Sequence, residues 1–415
     1  MDKTNVREIY GDEADKGKTD GEETDTGRLD NGEEGKKEMT GEDMSGGMMN
    51  QKNGQEIVYW LCQIPFLGPV TMNRMMERTG DIFSLYYNIE EIDWTEGRVL
   101  NAGQVEYLIR EKRKFKEMAE EYHSLADRGI RFITILDKEY PKRLRVLQNG
   151  PWGLYMKGRL PREDVPSLAI VGSRNATRYG LELARCFGRE LAAEGVQIIS
   201  GLASGIDGAG HQGALDGNGS TFGVLGCGIN LCYPRENYLL YERMAESGGI
   251  LSEYPLGTKP LAQNFPVRNR IISGLADGVL VVEARERSGS LITAGLALDQ
   301  GKDVFAIPGR LTDPGSFGCN HLIQHGAPLV QSPQDILEVF GIRYEKKLRI
   351  HEKNEKGLAK KEKMVYSVLD LQSKNIEDIV KEAGVPLSEG MMILLDLELK
   401  GFAVHEGGNY YSRTL

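Results

Sequence analysis

The sequence predicts an α/β protein. A doubly wound, extended Rossmann-like parallel sheet is flanked by a small N-terminal helical domain and a C-terminal winged helix. Three observations carry this prediction. Between residues 165 and 340, short β-branched runs such as "SLAIVG", "VQIIS", "TFGVLG" and "DGVLVVEA" alternate with helix-like segments, the pattern of a parallel sheet covered on both faces. Before that region, "EIVYWLCQIPFLGPVTMNRMMERTGDIFSLYY" and "QVEYLIREKRKFKEMAEEYHSLADRG" carry apolar residues at helical spacing. After it, the last block reads as three short helices followed by two β-like runs around Gly407-Gly408, the order of a winged helix.

In chain order, residues 1–52 have almost no aliphatic residues and read as a disordered acidic tail. Residues 1–50 hold 15 Asp/Glu against 7 Lys/Arg, a net −8 of the chain's −10, so the rest is nearly neutral. An acidic total therefore does not exclude a local basic groove. Residues 53–150 form a helical domain with a connecting segment. Its break "IPFLGPVT" is similar to the turn of a SAM or helix-hairpin-helix module, although the usual glycine pair is absent and a plain helical turn reads it better. Within the connector, "IRFITILDKEYPKRL" reads as strand then loop. Residues 151–342 form the sheet domain, with "GGILSEY", "KDVFAIPG" and "APLV" as its remaining strands. Residues 343–357 are a charged linker, and residues 358–415 the winged helix. The helix from Ser388 to Lys400 carries Glu389, Asp396 and Glu398 against one lysine, which favours partner binding or core packing over reading a phosphate-lined groove.

Composition excludes several classes. Five cysteines without a CxxC pair read as buried small hydrophobes in a reducing compartment, and no zinc-like spacing calls for a metal. The N-terminus lacks an apolar signal core, and no run reaches the ~18 residues that span a bilayer, so the chain reads as cytosolic with no membrane partner.

Open parallel sheets bind ligands beyond the carboxyl ends of their strands. There the sequence places Gly172-Ser173-Arg174, the turn beginning at Gly201, Ser288-Gly289-Ser290, and Ser316 to Asn320. Small residues at helix starts let backbone amides approach an anion. In "FPVRNRIISG", Pro266 suits the first helical position, which puts Arg268, Asn269 and Arg270 in the first turn. Cations at that end lose up to about 1 kcal/mol beside the helix dipole, so a bound anion is expected nearby. Phe265 offers a stacking face for an unpaired base or, alternatively, a staple packed on the core.

Enzyme templates fail on this rim. "GCGINL" has Leu231 where a dinucleotide fingerprint needs its third glycine, no Walker lysine follows a glycine-rich loop, and His211 lies inside a helix away from any nucleophile. Glu253 and Glu283 end their strands, where they read either as a carboxylate pair flanking the rim or, for Glu283, as a partner of Arg268, Arg270 or Arg285; the ion-paired reading is preferred because an uncompensated carboxylate would repel the expected anion. No catalytic residue, cofactor or metal is expected.

"AIVGSRNATRYG", "IISGLASGIDGAGHQGAL", "VLGCGINLCYPREN", "FPVRNRIISGLADGVLVVEARERSGSLITAGLALDQGKDVFAIPG" and "GCNHLIQHGAPLV" together resemble the DNA-processing protein A family, DprA or Smf, in order across residues 160–330. The resemblance implies a cytosolic, non-enzymatic protein that binds single-stranded DNA, dimerises through the α/β domain and helps load the RecA recombinase during natural transformation. It marks Arg174 and the Phe265 to Arg270 segment as DNA contacts. Many relatives carry a lysine shortly before the Phe-Pro pair; here Lys259 is the nearest. The rival reading is a nucleoside-monophosphate phosphoribohydrolase on the same kind of sheet, whose Pro-Gly-Gly-x-Gly-Thr loop is replaced here by "ERSGSLITA".

Overall fold

A computed structural model describes residues 54–342 and 358–413. The acidic tail and the charged linker expected from sequence lie outside these residues.

Five helices open the described chain: α1 (54–62), α2 (Pro69–Thr79), α3 (Ile82–Tyr87), α4 (Ala102–Lys112) and α5 (Phe115–Ser124). Pro69 takes the first position of α2, where its missing amide costs nothing, and an Asn101/Gln104 capping box starts α4. Trp60, Met75, Leu85, Trp94 and Leu108 are buried together with Phe132 and Tyr155 of the sheet, so these helices and the sheet edge share apolar packing.

The sheet has eight strands: β1 (Arg131–Thr134), β2 (Gly153–Gly158), β3 (Ser167–Val171), β4 (Gln197–Ser200), β5 (Thr221–Leu225), β6 (Gly249–Ser252), β7 (Gly278–Val281) and β8 (Asp303–Ala306), in the order β1-β2-β6-β5-β4-β3-β7-β8. Six run parallel, from β6 across to β8. Two differences from the sequence reading stand out. The first is that β1, expected in the connecting segment, and β2 join the sheet antiparallel, which makes it mixed. The other concerns "APLV", which forms only a bridge between Leu329 and Ala306.

Between these strands run α6 (Lys142–Arg145), α7 (Arg178–Ala193), α8 (Ile206–Asp216), α9 (Tyr238–Ser247), α10 (Asn264–Leu275) and α11 (Gly289–Asp299), and after β8 come α12 (Phe317–Gln324) and α13 (Pro333–Val339). Alternation along β3 divides the core. Leu168 and Ile170 pack with Phe187 of α7 and Ala214 of α8, while Ala169 and Val171 pack with Ile272 of α10 and Ala294 of α11. Helices α7 and α8 touch backbone to backbone: a Cβ at Gly188 would stand 2.3 Å from the Gly210 carbonyl oxygen. Among the described residues no helix is long and apolar enough to cross a membrane, no three His, Cys, Asp or Glu side chains cluster to hold a metal, and all five cysteines are free.

His211 of α8 is fully enclosed, with Nδ1 2.6 Å from Thr221 Oγ1. Burial, helped by the Arg268 charge, pushes its pKa down from 6.5 to about 3. Between those values the unfolded chain binds a proton that the folded chain refuses. The contribution is therefore complete above pH 6.5 and is lost as pH falls toward about 3, at ~1.4 kcal/mol per pH unit. Urea unfolding at pH 7 and pH 4.5 should show a smaller acid-induced loss in His211→Gln than in the wild type. Equal losses would exclude His211 as the source.

The C-terminal residues form α14 (Lys360–Val368), β9 (Lys374–Asn375), α15 (Ile376–Ala383), α16 (Leu387–Leu399), β10 (Ala403–Gly407) and β11 (Tyr410–Arg413). The strands make an antiparallel sheet, β10-β11-β9, and Val365, Ile379, Leu394 and Leu397 fill a separate core.

Candidate nucleic-acid interface

Strand order changes direction between β3 and β7: β4, β5 and β6 lie on one side of β3, β7 and β8 on the other. Such a switch point opens a crevice at the carboxyl ends of the strands. Here it is a cleft of about 500 Å³, lined by residues that follow β3, β4, β5, β6 and β7.

The turn after β3 is forced by packing. A Cβ on Gly172 would stand 2.6 Å from the Ile206 side chain, and the Ser173 amide donates to the Glu283 carbonyl oxygen at 2.8 Å. This anchors Arg174 at the lip, exposed, with its guanidinium carbon 4.9 Å from the centre of the Phe265 ring. It has no ion pair among the described residues. Across the cleft, the turn after β7 brings Arg285 and Arg287, both exposed and likewise without an ion pair among the described residues, ahead of Ser288. Ser288 caps α11 by accepting from the Ser290 amide, and Gly289 and Ser290 face the cleft. The open end of α11 thus contributes partial positive charge.

Phe265 is half-buried. It rests on Gly226, where a Cβ would come within 2.8 Å of its ring, and leans toward Tyr233 at 5.8 Å between centres, with 33° between the planes. One part of the ring is packed, as a core staple would be, and the other borders the cleft.

The arginines of the "FPVRNR" segment occupy unexpected places. Helix α10 begins at Asn264, two residues before Pro266, so Pro266 sits within the first turn, where its missing amide is still harmless. Arg268 and Arg270 fall beyond that turn, and the argument from the helix dipole does not apply to them. Arg268, at 3% exposure, lies in the cleft floor. Its Nη1 donates to the carbonyl oxygens of Gly201, at 2.8 Å, and Val224. Burial lowers its pKa to about 10, with Asp207 opposing the shift, so it stays charged at neutral pH. Arg270 is absent from the cleft. Its Nη2 donates to both carboxylate oxygens of Glu253, at 2.6 and 2.7 Å. Glu253 is thus the partner of Arg270, a pairing the sequence reading did not assign to it, and its pKa is raised by burial while Arg270 opposes the rise.

Four other positions singled out in the sequence have definite places. Gly201 does not line the cleft; it leaves room for Arg268, whose Nη1 would meet a Cβ there at 2.4 Å. Asn269 lines the cleft and donates to the Gly289 carbonyl oxygen at 3.3 Å, tying α10 to α11. Glu283 pairs with no arginine among the described residues; it accepts from the Thr177 amide at 2.9 Å and from the Thr177 hydroxyl, holding the start of α7. Lys259 is exposed and adjoins Pro260, which lines the cleft.

Sequence reasoning missed Arg287, Tyr233 and Asp207, and treated Arg285 only as an ion-pair partner. A signal was present in "ARERSGS", where two arginines directly precede the small residues of a helix start. Asp207 is the cleft's one lining carboxylate; it is buried, accepts from the Gly201 amide at 3.1 Å, and has a pKa raised by burial against the pull of Arg268. Four guanidinium groups against one buried carboxylate make a site for a polyanion.

Comparison with known proteins agrees with this architecture. The profile of the family described as DNA recombination-mediator protein A matches residues 131–341, starting at β1. Protein Smf of Escherichia coli (strain K12) is 43% identical over 279 residues, 65% of this chain and 74% of its own. DNA processing protein DprA of Bacillus subtilis (strain 168) is 46% identical over 213 residues, 51% of this chain and 72% of its own. The crystal structure of DprA from Streptococcus pneumoniae aligns with a TM-score of 0.55 at 36% identity, over 68% of this chain and 97% of that one. With its switch-point cleft inside the matched segment, this chain belongs to the DNA recombination-mediator protein A family.

Proposed function

We propose that the cleft holds single-stranded DNA and that the protein is a non-enzymatic recombination mediator. It would protect the strand and help load RecA in the cytoplasm during natural transformation. One observation carries the reading: Arg174, Arg285 and Arg287 stand exposed around one opening, without ion pairs among the described residues, beside the open edge of Phe265 and the start of α11. Guanidinium groups there give charge-assisted, often bidentate bonds to phosphates, while the ring accepts a base of any identity. Gly172, Ser173, Arg174, Phe265, Arg268, Asn269, Arg285, Arg287, Ser288, Gly289 and Ser290 form the proposed contact set, with Arg268 acting from the floor. Gly201 and Arg270 leave it.

A hydrolytic reading is disfavoured because Asp207, the only carboxylate lining the cleft, is buried and held by the Gly201 amide. Release of free base from a nucleoside monophosphate by the purified protein would reverse that choice. Homodimerisation through the α/β domain draws support from apolar side chains exposed on and near α11 and α12, among them Ile292, Leu298, Phe317 and Leu329. The order of α14 to β11 supports a winged helix, while α1 to α5, which share a core with the sheet edge, support a helical segment packed on the sheet rather than a domain apart.

The testing experiment is a salt titration of oligothymidylate binding. Phe265→Ala should weaken binding by about 1–3 kcal/mol without changing the salt slope, because it removes stacking and no charge. Phe265→Trp should retain most of the affinity. A change in slope, or equal losses in both variants, would remove stacking from the account.

A further inference from the structure

Arg268 carries an unused donor edge at the cleft floor. Its Nη1 bonds to the carbonyl oxygens of Gly201 and Val224, but Nε is buried without a partner and Nη2 has none among the described residues. Nε and Nη2 together make the side-on fork of a guanidinium, which fits two oxygens of one carboxylate or phosphate. No carboxylate fills it: Asp207 accepts from the Gly201 amide and makes no ion pair with Arg268 among the described residues. Arg174 and Arg268 also share one wall, with guanidinium carbons 4.9 and 5.8 Å from the centre of the Phe265 ring. Two like charges so placed repel, and the donors of a group only 3% exposed go unmet, until an oxyanion lies between them. The start of α11 faces the same space, where Ser290 is 7% exposed.

Above the floor stand two aromatic walls. Tyr233 is 44% exposed and lines the cleft, and its hydroxyl has no partner among the described residues. Its loop is held by the core: the Ser252 hydroxyl donates to the Cys227 carbonyl oxygen at 2.6 Å, and the Tyr241 hydroxyl to that of Ile229 at 2.7 Å. With Phe265 seated on Gly226, both rings are fixed surfaces against which a base can stack. A cleft of about 500 Å³ is of small-ligand size, with room for one nucleotide rather than a length of strand. A phosphomonoester suits a closed floor better than a diester, because it has one substituent to lead out instead of two and carries a charge of about −1.5 to −2 at pH 7. We infer that the cleft floor is a phosphomonoester site for a single nucleotide, with the phosphate held side-on by Arg268 beside α11 and the base against Tyr233 and Phe265. Resting as it does on the nucleic-acid reading of the cleft, this site admits two sources of the same chemistry, a free nucleoside monophosphate or the phosphorylated end of a strand.

The test titrates thymidine monophosphate against a fluorescent oligothymidylate of about six nucleotides bound to the full chain, followed by anisotropy, with thymidine and inorganic phosphate as controls. In a second arm, oligothymidylates with a phosphorylated or a hydroxyl end are compared. The monophosphate should displace the oligomer at least about tenfold better than either control. A phosphorylated end that tightens binding by the same factor, without displacement by the free monophosphate, also supports the site and makes strand ends its source. Arg268→Lys keeps the charge but loses the fork and should weaken monophosphate binding by about tenfold or more. Tyr233→Ala, an exposed change, should weaken it by about fivefold or more and leave thermal stability unchanged. A monophosphate no better than thymidine, together with indifference to the phosphorylated end, overturns the inference, while continued oligothymidylate binding leaves the reading of the cleft intact. Monophosphate binding that both variants retain in full overturns it as well. Failure of the wild type to bind any oligothymidylate would overturn both.

Discussion

Replacing Arg174, Arg285 and Arg287 together by alanine is expected to lower the affinity for oligothymidylate by at least about a hundredfold at low salt. Each neutralised phosphate contributes about 0.7 to the slope of log affinity against log salt for single strands, so three lost contacts should flatten it by about two. Thermal stability should stay within about 0.5 kcal/mol of the wild type, because these exposed side chains carry no ion pair among the described residues. Filter binding between 50 and 200 mM salt measures both quantities. A weakened variant with an unchanged slope would mean that the arginines act on the fold rather than on phosphates. Unchanged affinity would dismiss the cleft as the binding site.

Arg270→Ala should have the opposite profile, with a large loss of stability and no direct effect on the salt slope. The substitution strands Glu253, mostly enclosed, without its cation, and breaking such a pair costs about 3–5 kcal/mol. The deficit should also depend on pH in a definite direction. Burial already raises the pKa of Glu253, and removing Arg270 raises it further. Protonation on acidification then relieves the buried charge, so the deficit is larger at pH 8 than at pH 5. Combining Arg270→Met with Glu253→Leu should recover most of the stability, since apolar replacement of both partners removes the desolvated charges altogether. Urea unfolding decides this. A stable Arg270→Ala protein with a flattened salt slope would instead restore Arg270 to the DNA-contact set.

The contrast between these two variants shows where sequence reasoning reaches its limit. Gly172, Ser173 and Arg174 were legible because the apolar run before them is a central strand, and residues just past such a strand must lie at the crevice. Ser288 and Gly289 were legible for the same reason, as a cap and start of a helix. Arg268 and Arg270 appeared equally accessible, yet α10 is enclosed on more than one side. Ile271 and Ile272 pack with the sheet strands, and a Cβ at Gly274 would stand 2.8 Å from the side chains of Leu144 and Leu147. Those two leucines are over a hundred residues away in the chain, and nothing local announces that they cover the helix. Arg285 and Arg287 were overlooked in the other direction, because spacing alone cannot tell a charge paired within the protein from one left to a ligand.

The amino-acid sequence alone marked the runs of all six parallel strands, together with a seventh that forms only a bridge, the rim of small residues at their ends and the kinship with a family of DNA-handling proteins. Those features follow from side-chain periodicity and backbone permissiveness, which are written within a few residues of one another. Tertiary structure decided which guanidinium groups face solvent and which hold the protein together, along with the antiparallel edge formed by β1 and β2. Burial and pairing depend on partners brought from distant parts of the chain, and only the folded arrangement supplies them.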